Sequence, residues 1–492
     1  MDFYCAQLGR LDMKLTLTHD EIAAYCGELH ASNQAFKSHY PADSFDRQPV
    51  HTVYGGANLF KAGFAAKLGE VALKTLDTYA PSYSVFARAL GLPRADTLPT
   101  NAMELASLTR ALEANPEQVR ETKQAAWLAF TVYNRVVKKL QSEPVEDNRI
   151  DFEDGYGNRP DDEEDGHAAS AADEVAKGMR EGILPPFIGI RIKTFSDECK
   201  QRSIRTLDIF LTRLAEQTGG KLPQNFIVTL PKVTTPGQVS TCAKILENLE
   251  ARLGFAKDSL RMEIMIETTQ SIINYQGENT VPLLVAAAGS RCRSAIFGTY
   301  DYTASCNITA AHQNHTHPAC DFARHVMQVS LAGTGITISD GATTSMPIGP
   351  HKAAKDVVLS AQQMDENRAV VHGAWKLHYD NIMHSLRHGY YQGWDLNPGQ
   401  LPVRYAAMDT FFLSSLQDAS ARLNAFLNKA AQATLVGNTF DDAATGQGLL
   451  NFFLRGMACG AITEQEVLAT GITLEELRSR SFVQIVNNRT GK

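Results

Sequence analysis

Eight short runs rich in apolar and β-branched residues, each closing on polar residues and separated by helical patterns, constrain this 492-residue chain more than any other feature. They fall at residues 50–54, 149–152, 187–192, 226–230, 262–267, 294–297, 335–339 and 369–374. Strand-length runs alternating with helices predict a parallel sheet wrapped by helices, and eight of them predict an α/β protein built on a closed (β/α)8 TIM barrel. Side chains that do chemistry in such barrels sit at the C-terminal ends of the strands. Between the first and second runs, residues 62–142 are too long for one crossover and read as a helical insertion. After the eighth run, helical stretches at 409–429 and 446–455 and a charged segment from Thr463 read as a small C-terminal α-helical domain. The expected division is 1–145 for the first strand and its insertion, 146–400 for the barrel core and 401–492 for the C-terminal helices. The acidic run 161–165 reads as a solvated loop.

Composition narrows the partners. Hydrophobic residues make up 44% and charged residues 21%, enough for a large core. A net charge of -7 favours neither nucleic acid nor an anionic membrane as partner, so a small molecule is the expected partner, with a homo-oligomer also open. The N-terminus lacks a charged segment followed by an apolar one, and no stretch approaches the ~20 apolar residues of a membrane span, so the expectation is a cytoplasmic protein. The eight cysteines are scattered without a Cys-x-x-Cys pair and read as free thiols.

The strand ends carry the chemistry. The fifth run closes on Glu267 and the sixth is followed by Gly298, Thr299, Tyr300 and Asp301, so two carboxylates stand on neighbouring strands. Two oxygen ligands, completed by water and a chelating substrate, suit octahedral Mg2+. The third run embeds Arg191 among apolar residues, where a charge needs a partner. It could grip a substrate carboxylate in bidentate fashion or pair with a barrel acid. Lys232, after Leu230-Pro231, could neutralise substrate charge or pair with Glu267 or Asp151. Asp151, Glu153 and Asp154 crowd the end of the second run, and such a cluster implies a dication or bases beside it. They are expected mainly to hold the bases and metal-bound water from behind, with a direct ligand role as the alternative.

These residues in this order resemble the superfamily of malate synthases, citrate lyase beta subunits and HpcH/HpaI-type aldolases. Residues 151–154 look like its Asp-Phe-Glu-Asp motif, Pro231-Lys232 like its Pro-Lys strand end, and Ile266-Glu267-Thr268 like its Ile-Glu-Thr motif. Gly298 to Tyr302 resembles the Gly-Arg-Trp-Asp-Tyr segment, residues 341–348 its small-residue strand end, and 372–375 the Asp-Gly-Thr-Trp of the eighth strand. Residues 441–445 resemble a Glu-Asp-Ala-Ala-Thr motif that would make Asp442 the catalytic base. The resemblance implies a Mg2+ enzyme, with Mn2+ as alternative. Glu267 and Asp301 would be ligands, Arg191 would bind the oxo acid with Lys232 beside it, and Gly298 and Thr299 would line the substrate. It departs at Thr299, where the family has arginine, at Tyr300, where it has tryptophan, and at Arg191-Ile192-Lys193, which is closer to the lyase and aldolase branch.

The implied reaction makes or breaks a carbon–carbon bond beside a glyoxylate- or pyruvate-like 2-oxo acid through an enolate. If Asp442 is the base, a CoA thioester is the co-substrate. A non-catalytic barrel that only binds is the alternative, as is enol-phosphate chemistry, for which the chain shows no phosphate loop. His51 and Tyr54 are further candidates to line the pocket, and Gly55-Gly56 reads as a tight turn. His312, His315 and His317 read as a polar loop at the mouth, with a zinc site as the lesser reading.

Overall fold

The computed structural model describes residues 15–42, 44–353, 358–428, 434–436, 439–441 and 443–490. Eight parallel strands close into a barrel: β1 His51–Gly56, β2 Asp147–Asp151, β3 Phe187–Arg191, β4 Phe226–Leu230, β5 Arg261–Ile266, β6 Cys292–Phe297, β7 Thr337–Ala342 and β8 Gln392–Asp395. Closure comes from β1 pairing with β8, where His51 stands opposite Gly393. Strand alternation sorts the side chains. Ile188 and Ile190 of β3, Phe226 and Val228 of β4, and Met262 and Ile264 of β5 turn outward into one apolar cluster beneath the surrounding helices.

The inward set is polar. Arg149 of β2 pairs with Asp147 and reaches Glu263 of β5 at 3.3 Å, while Thr229 and Ser294 donate to Glu263 at 2.7 and 2.5 Å. Thr52 donates to Asp147 at 2.9 Å and accepts from Gln392 at 3.0 Å, so the network joins strands across the barrel floor. A buried ion pair is stable only when its remaining hydrogen bonds are met, and these hydroxyls and the amide meet them.

The long insertion is helical as expected, ending in the helix Gln124–Ser142. Its Leu128, Val132, Val136 and Leu140 recur every fourth residue and form a buried stripe. That stripe shares a second apolar cluster with the insertion's other helices and with the helix Leu401–Asn428, Leu450 and Phe453 beyond the barrel. The C-terminal region is mainly helical, with one antiparallel pair, Thr434–Val436 and Thr439–Asp441. No described helix is long and apolar enough to cross a membrane.

Three expectations are corrected. Residues 369–374 are not a strand but part of the helix Ala361–Arg387, and the eighth strand is Gln392–Asp395. The segment resembling the eighth-strand motif, 372–375, lies in that same helix. There Val371, Trp375, His378 and Ile382 form a buried face at helical spacing. The acidic run 161–165 is the first turn of the helix Asp161–Glu181, where carboxylates complement the positive end of the helix dipole. Gly55 and Gly56 finish β1 and are not a turn; a Cβ at Gly56 would lie 2.7 Å from the Gly155 carbonyl oxygen.

Candidate active site

At the C-terminal mouth of the barrel, five carboxylates surround two bases. Asp151, the last residue of β2, is fully buried and accepts from Arg191 Nε at 2.7 Å and Nη2 at 2.6 Å. The backbone N–H groups of Glu153 and Gly155 also donate to it, at 3.0 and 2.7 Å. Burial would lower the basicity of Arg191, but Asp151 and Glu153 more than offset it and raise the guanidinium above its ordinary value. The bidentate edge expected to face a substrate carboxylate is therefore taken by Asp151. Nη1 is left, at 3.2 Å from Glu153. The guanidinium stacks over the rings of Tyr54, at 4.7 Å, and Trp394, at 5.3 Å.

Lys232 joins the other acids. Its backbone takes a left-handed φ of 49°, unusual for a residue with a side chain, just past β4. That turn aims its N–H at Glu267 Oε1, 2.7 Å away. Its ammonium bonds Glu153, lies 3.0 Å from Asp154 and reaches Asp301 at 3.9 Å. Burial opposes the charge, yet Glu153 and Asp301 hold the lysine above its usual range.

Glu267 follows β5 and is 2% exposed. Burial, and after it the charge of Asp301, pushes its carboxyl up to about 8. Asp301 sits in the first turn of the helix Thr299–Ser305, is more exposed than Glu267, and is likewise raised by burial. Gly298 lies against Glu267: a Cβ there would stand 2.3 Å from Oε2 and 2.5 Å from the glutamate's Cβ. Gly298→Ala is accordingly expected to push Glu267 aside and destabilise the protein by about 1–3 kcal/mol, the range for overpacking. Urea unfolding at neutral pH checks this, and an unchanged midpoint would show that the strand end yields freely. Thr299 is buried and, among the described residues, its hydroxyl has no hydrogen-bond partner; it lies against the position a Cβ on Gly341 would take.

The structure therefore brings Asp151, Glu153, Asp154, Arg191, Lys232, Glu267, Gly298, Thr299 and Asp301 to one mouth. His51 does not join them. It starts β1 and turns outward, with Nδ1 3.1 Å from Asp395 and Nε2 accepting the Glu146 N–H at 3.1 Å. The three loop histidines also part company. His315 is buried 3.2 Å from Asp340, His317 caps the helix Pro318–Leu331, and His312 is exposed. Among the described residues, no group of three or more His, Cys, Asp or Glu is placed to hold a metal alone. Asp442 lies outside the described residues. Trp394, under Arg191, escaped the sequence reading because it belongs to the misplaced eighth strand.

The barrel fold has counterparts among solved structures. It is similar to the crystal structure of a citrate lyase from Burkholderia xenovorans LB400, with a TM-score of 0.50 and 18% identity over 70% of this chain and 93% of that one. Two further structures are similar over much of their length. One is the CitE protein of Mycobacterium tuberculosis in complex with magnesium, acetoacetate and coenzyme A (TM-score 0.40, 14% identity, 67% and 94% covered). The other is a Haloferax volcanii malate synthase magnesium/glyoxylate complex (TM-score 0.36, 17% identity, 70% and 87% covered). At such identities the likeness is one of fold. The chain belongs to the family described as Domain of unknown function (DUF6986), whose model matches residues 29–485. No curated protein matches it.

Proposed function

We propose that this protein is a Mg2+-dependent enzyme that makes or breaks a carbon–carbon bond beside a 2-oxo acid of the glyoxylate or pyruvate kind. The observation that carries this reading is the imbalance at the mouth, where, among the described residues, Asp151, Glu153, Asp154, Glu267 and Asp301 face two bases, Arg191 and Lys232. A dication offsets such an excess of carboxylates, and the oxygen donors suit a hard ion. Glu267 and Asp301 are the residues that would hold it, and the glycine at 298 is what lets the Glu267 side chain lie where it does. When bound, the cation supplies a Lewis acid that polarises the oxo group and offsets the charge developing as the bond breaks or forms.

The chain's own residues do the rest. Asp151 fixes Arg191 and leaves Nη1 to meet a substrate carboxylate in place of Glu153. Lys232 holds Glu267 with its backbone and Glu153 with its ammonium, so it keeps both acids oriented while adding positive charge at the rim. The Tyr54 and Trp394 rings exclude water from below Arg191. In the condensation direction Asp442 is the proposed base, taking a proton from the carbon that attacks.

The test is a free-thiol assay with Mg2+, acetyl-CoA and glyoxylate or pyruvate, run beside an assay of oxo-acid release from 3-hydroxy acids and their CoA thioesters. Thiol release that vanishes in Asp442→Asn supports the CoA-dependent condensation. Oxo-acid release without CoA supports the aldolase form. A protein that neither turns over nor binds Mg2+ would leave a barrel that only binds. The pH dependence adds a further check. A carboxyl raised to about 8 keeps its proton at neutral pH, and Mg2+ must displace that proton. The Mg2+ dissociation constant is therefore expected to fall about tenfold per unit from pH 6 to 7.5 and to level off above 8, as read by calorimetry.

A further inference from the structure

The opposite mouth of the barrel holds a cavity of about 800 Å³, within the size range of sites for small organic ligands. Its floor is the polar interior itself, lined by the buried Asp147, Arg149, Glu263 and Ser294. Those four already satisfy one another, so the floor asks for no further charge. The rim differs. Arg261 begins β5 and Arg293 follows the first residue of β6, so two arginines line the cavity from neighbouring strands. Arg261 donates to the Ser290 carbonyl at 2.7 Å. Among the described residues neither arginine has a carboxylate within ion-pair distance. Burial and then the charge of Arg293 push Arg261 below its ordinary basicity, with Asp258 and Glu250 opposing the shift. The remaining wall is part apolar, with Phe187, Pro223 and Ile227, and part polar, with Asp46, Gln224, Asn225 and Gln328.

From the arginine pair, the apolar part of the wall and the volume together, we infer that this N-terminal mouth is a second binding site, for an organic polyanion of nucleoside-diphosphate size. The arginines take the anionic end and the apolar part of the wall takes the body. The inference is independent of the chemistry proposed for the other mouth, because it uses none of those residues.

Titration calorimetry with purified full-length protein tests it, using ADP, citrate and inorganic pyrophosphate as probes. ADP is expected to bind at least tenfold more tightly than pyrophosphate or citrate, since only ADP offers both charge and an apolar body. Arg293→Glu, at an exposed position, should weaken ADP at least tenfold, and Arg261→Gln should weaken it in the same direction, each variant melting as wild type does. Glu267→Ala, at the far mouth, should leave ADP affinity within twofold. Absence of ADP binding overturns the inference, as does binding indifferent to both arginine variants. ADP affinity lost in Glu267→Ala places the ligand at the C-terminal mouth and overturns it too. Equal affinity for pyrophosphate and ADP refutes the claim that the walls hold a body.

Discussion

Glu267→Gln is expected to cost about a thousandfold or more in Mg2+-dependent turnover while leaving the metal-free protein more stable than wild type above pH 8. The activity loss follows from losing one of two proposed ligands, whose electrostatic contribution is several kcal/mol, at ~1.4 kcal/mol per tenfold. The stability gain follows from the raised carboxyl. With a folded value of about 8, above that of an exposed glutamate, its contribution is full below the unfolded value and disappears as pH rises through 8. At pH 9 the wild type carries a buried charge facing Asp301, whereas glutamine carries none and can still accept the Lys232 N–H. The difference is on the order of a few kcal/mol. Thermal melts in EDTA at pH 7 and pH 9, beside turnover, measure both halves. Undiminished turnover would remove Glu267 from the metal site, and a variant less stable than wild type at pH 9 would remove the charge argument.

Asp395→Ala is expected to be among the most destabilising single changes in the barrel wall, at about 3–5 kcal/mol. Asp395 ends β8 and is buried, with Arg404 Nη2 donating to it at 2.7 Å and with His51 Nδ1 and His378 Nε2 each 3.1 Å away. Alanine would leave Arg404 buried without its counter-charge. Burial alone would raise the Asp395 carboxyl, but Arg404 and the histidines pull it well below the usual range. Its contribution is thus present at neutral pH and lost only as pH falls through that low value. Replacing the pair together, Asp395→Leu with Arg404→Met, should recover most of the loss. Guanidinium unfolding of the single and double variants decides it, and a double variant as weak as the single one would show that the histidines, not the arginine, hold the aspartate.

Much of this was legible in the chain. Seven strands fall where apolar runs end in polar residues, and the acids and bases of the C-terminal mouth could be named because barrel geometry sends strand ends to one place. The eighth strand was not legible. Gln392–Asp395 is four residues long, contains a glycine and no β-branched residue, and owes its strand state to pairing with β1 and β7. Val370 and Val371 drew the strand reading to a helix whose true signal, burial at 371, 375, 378 and 382, needed a longer window. The fate of His51 was hidden too. Its partners Glu146, Asp395 and Tyr405 are distant in sequence, and nothing local says which side of the strand faces the helices. Arg191 showed that a buried arginine needs an acid, but only the fold shows that Asp151 takes its bidentate edge.

The polar floor of the barrel also shapes how such a chain can drift in sequence. An apolar barrel interior accepts a valine for an isoleucine at small cost, one position at a time. Here Thr52, Asp147, Arg149, Thr229, Glu263, Ser294 and Gln392 form one bonded set, so the loss of a member strands a buried charge or donor. Replacing the whole set by hydrophobic residues can be neutral, yet each intermediate step is unfavourable. Relatives should therefore carry these positions as a block, inherited intact or exchanged together, while the apolar outer faces of the same strands vary freely.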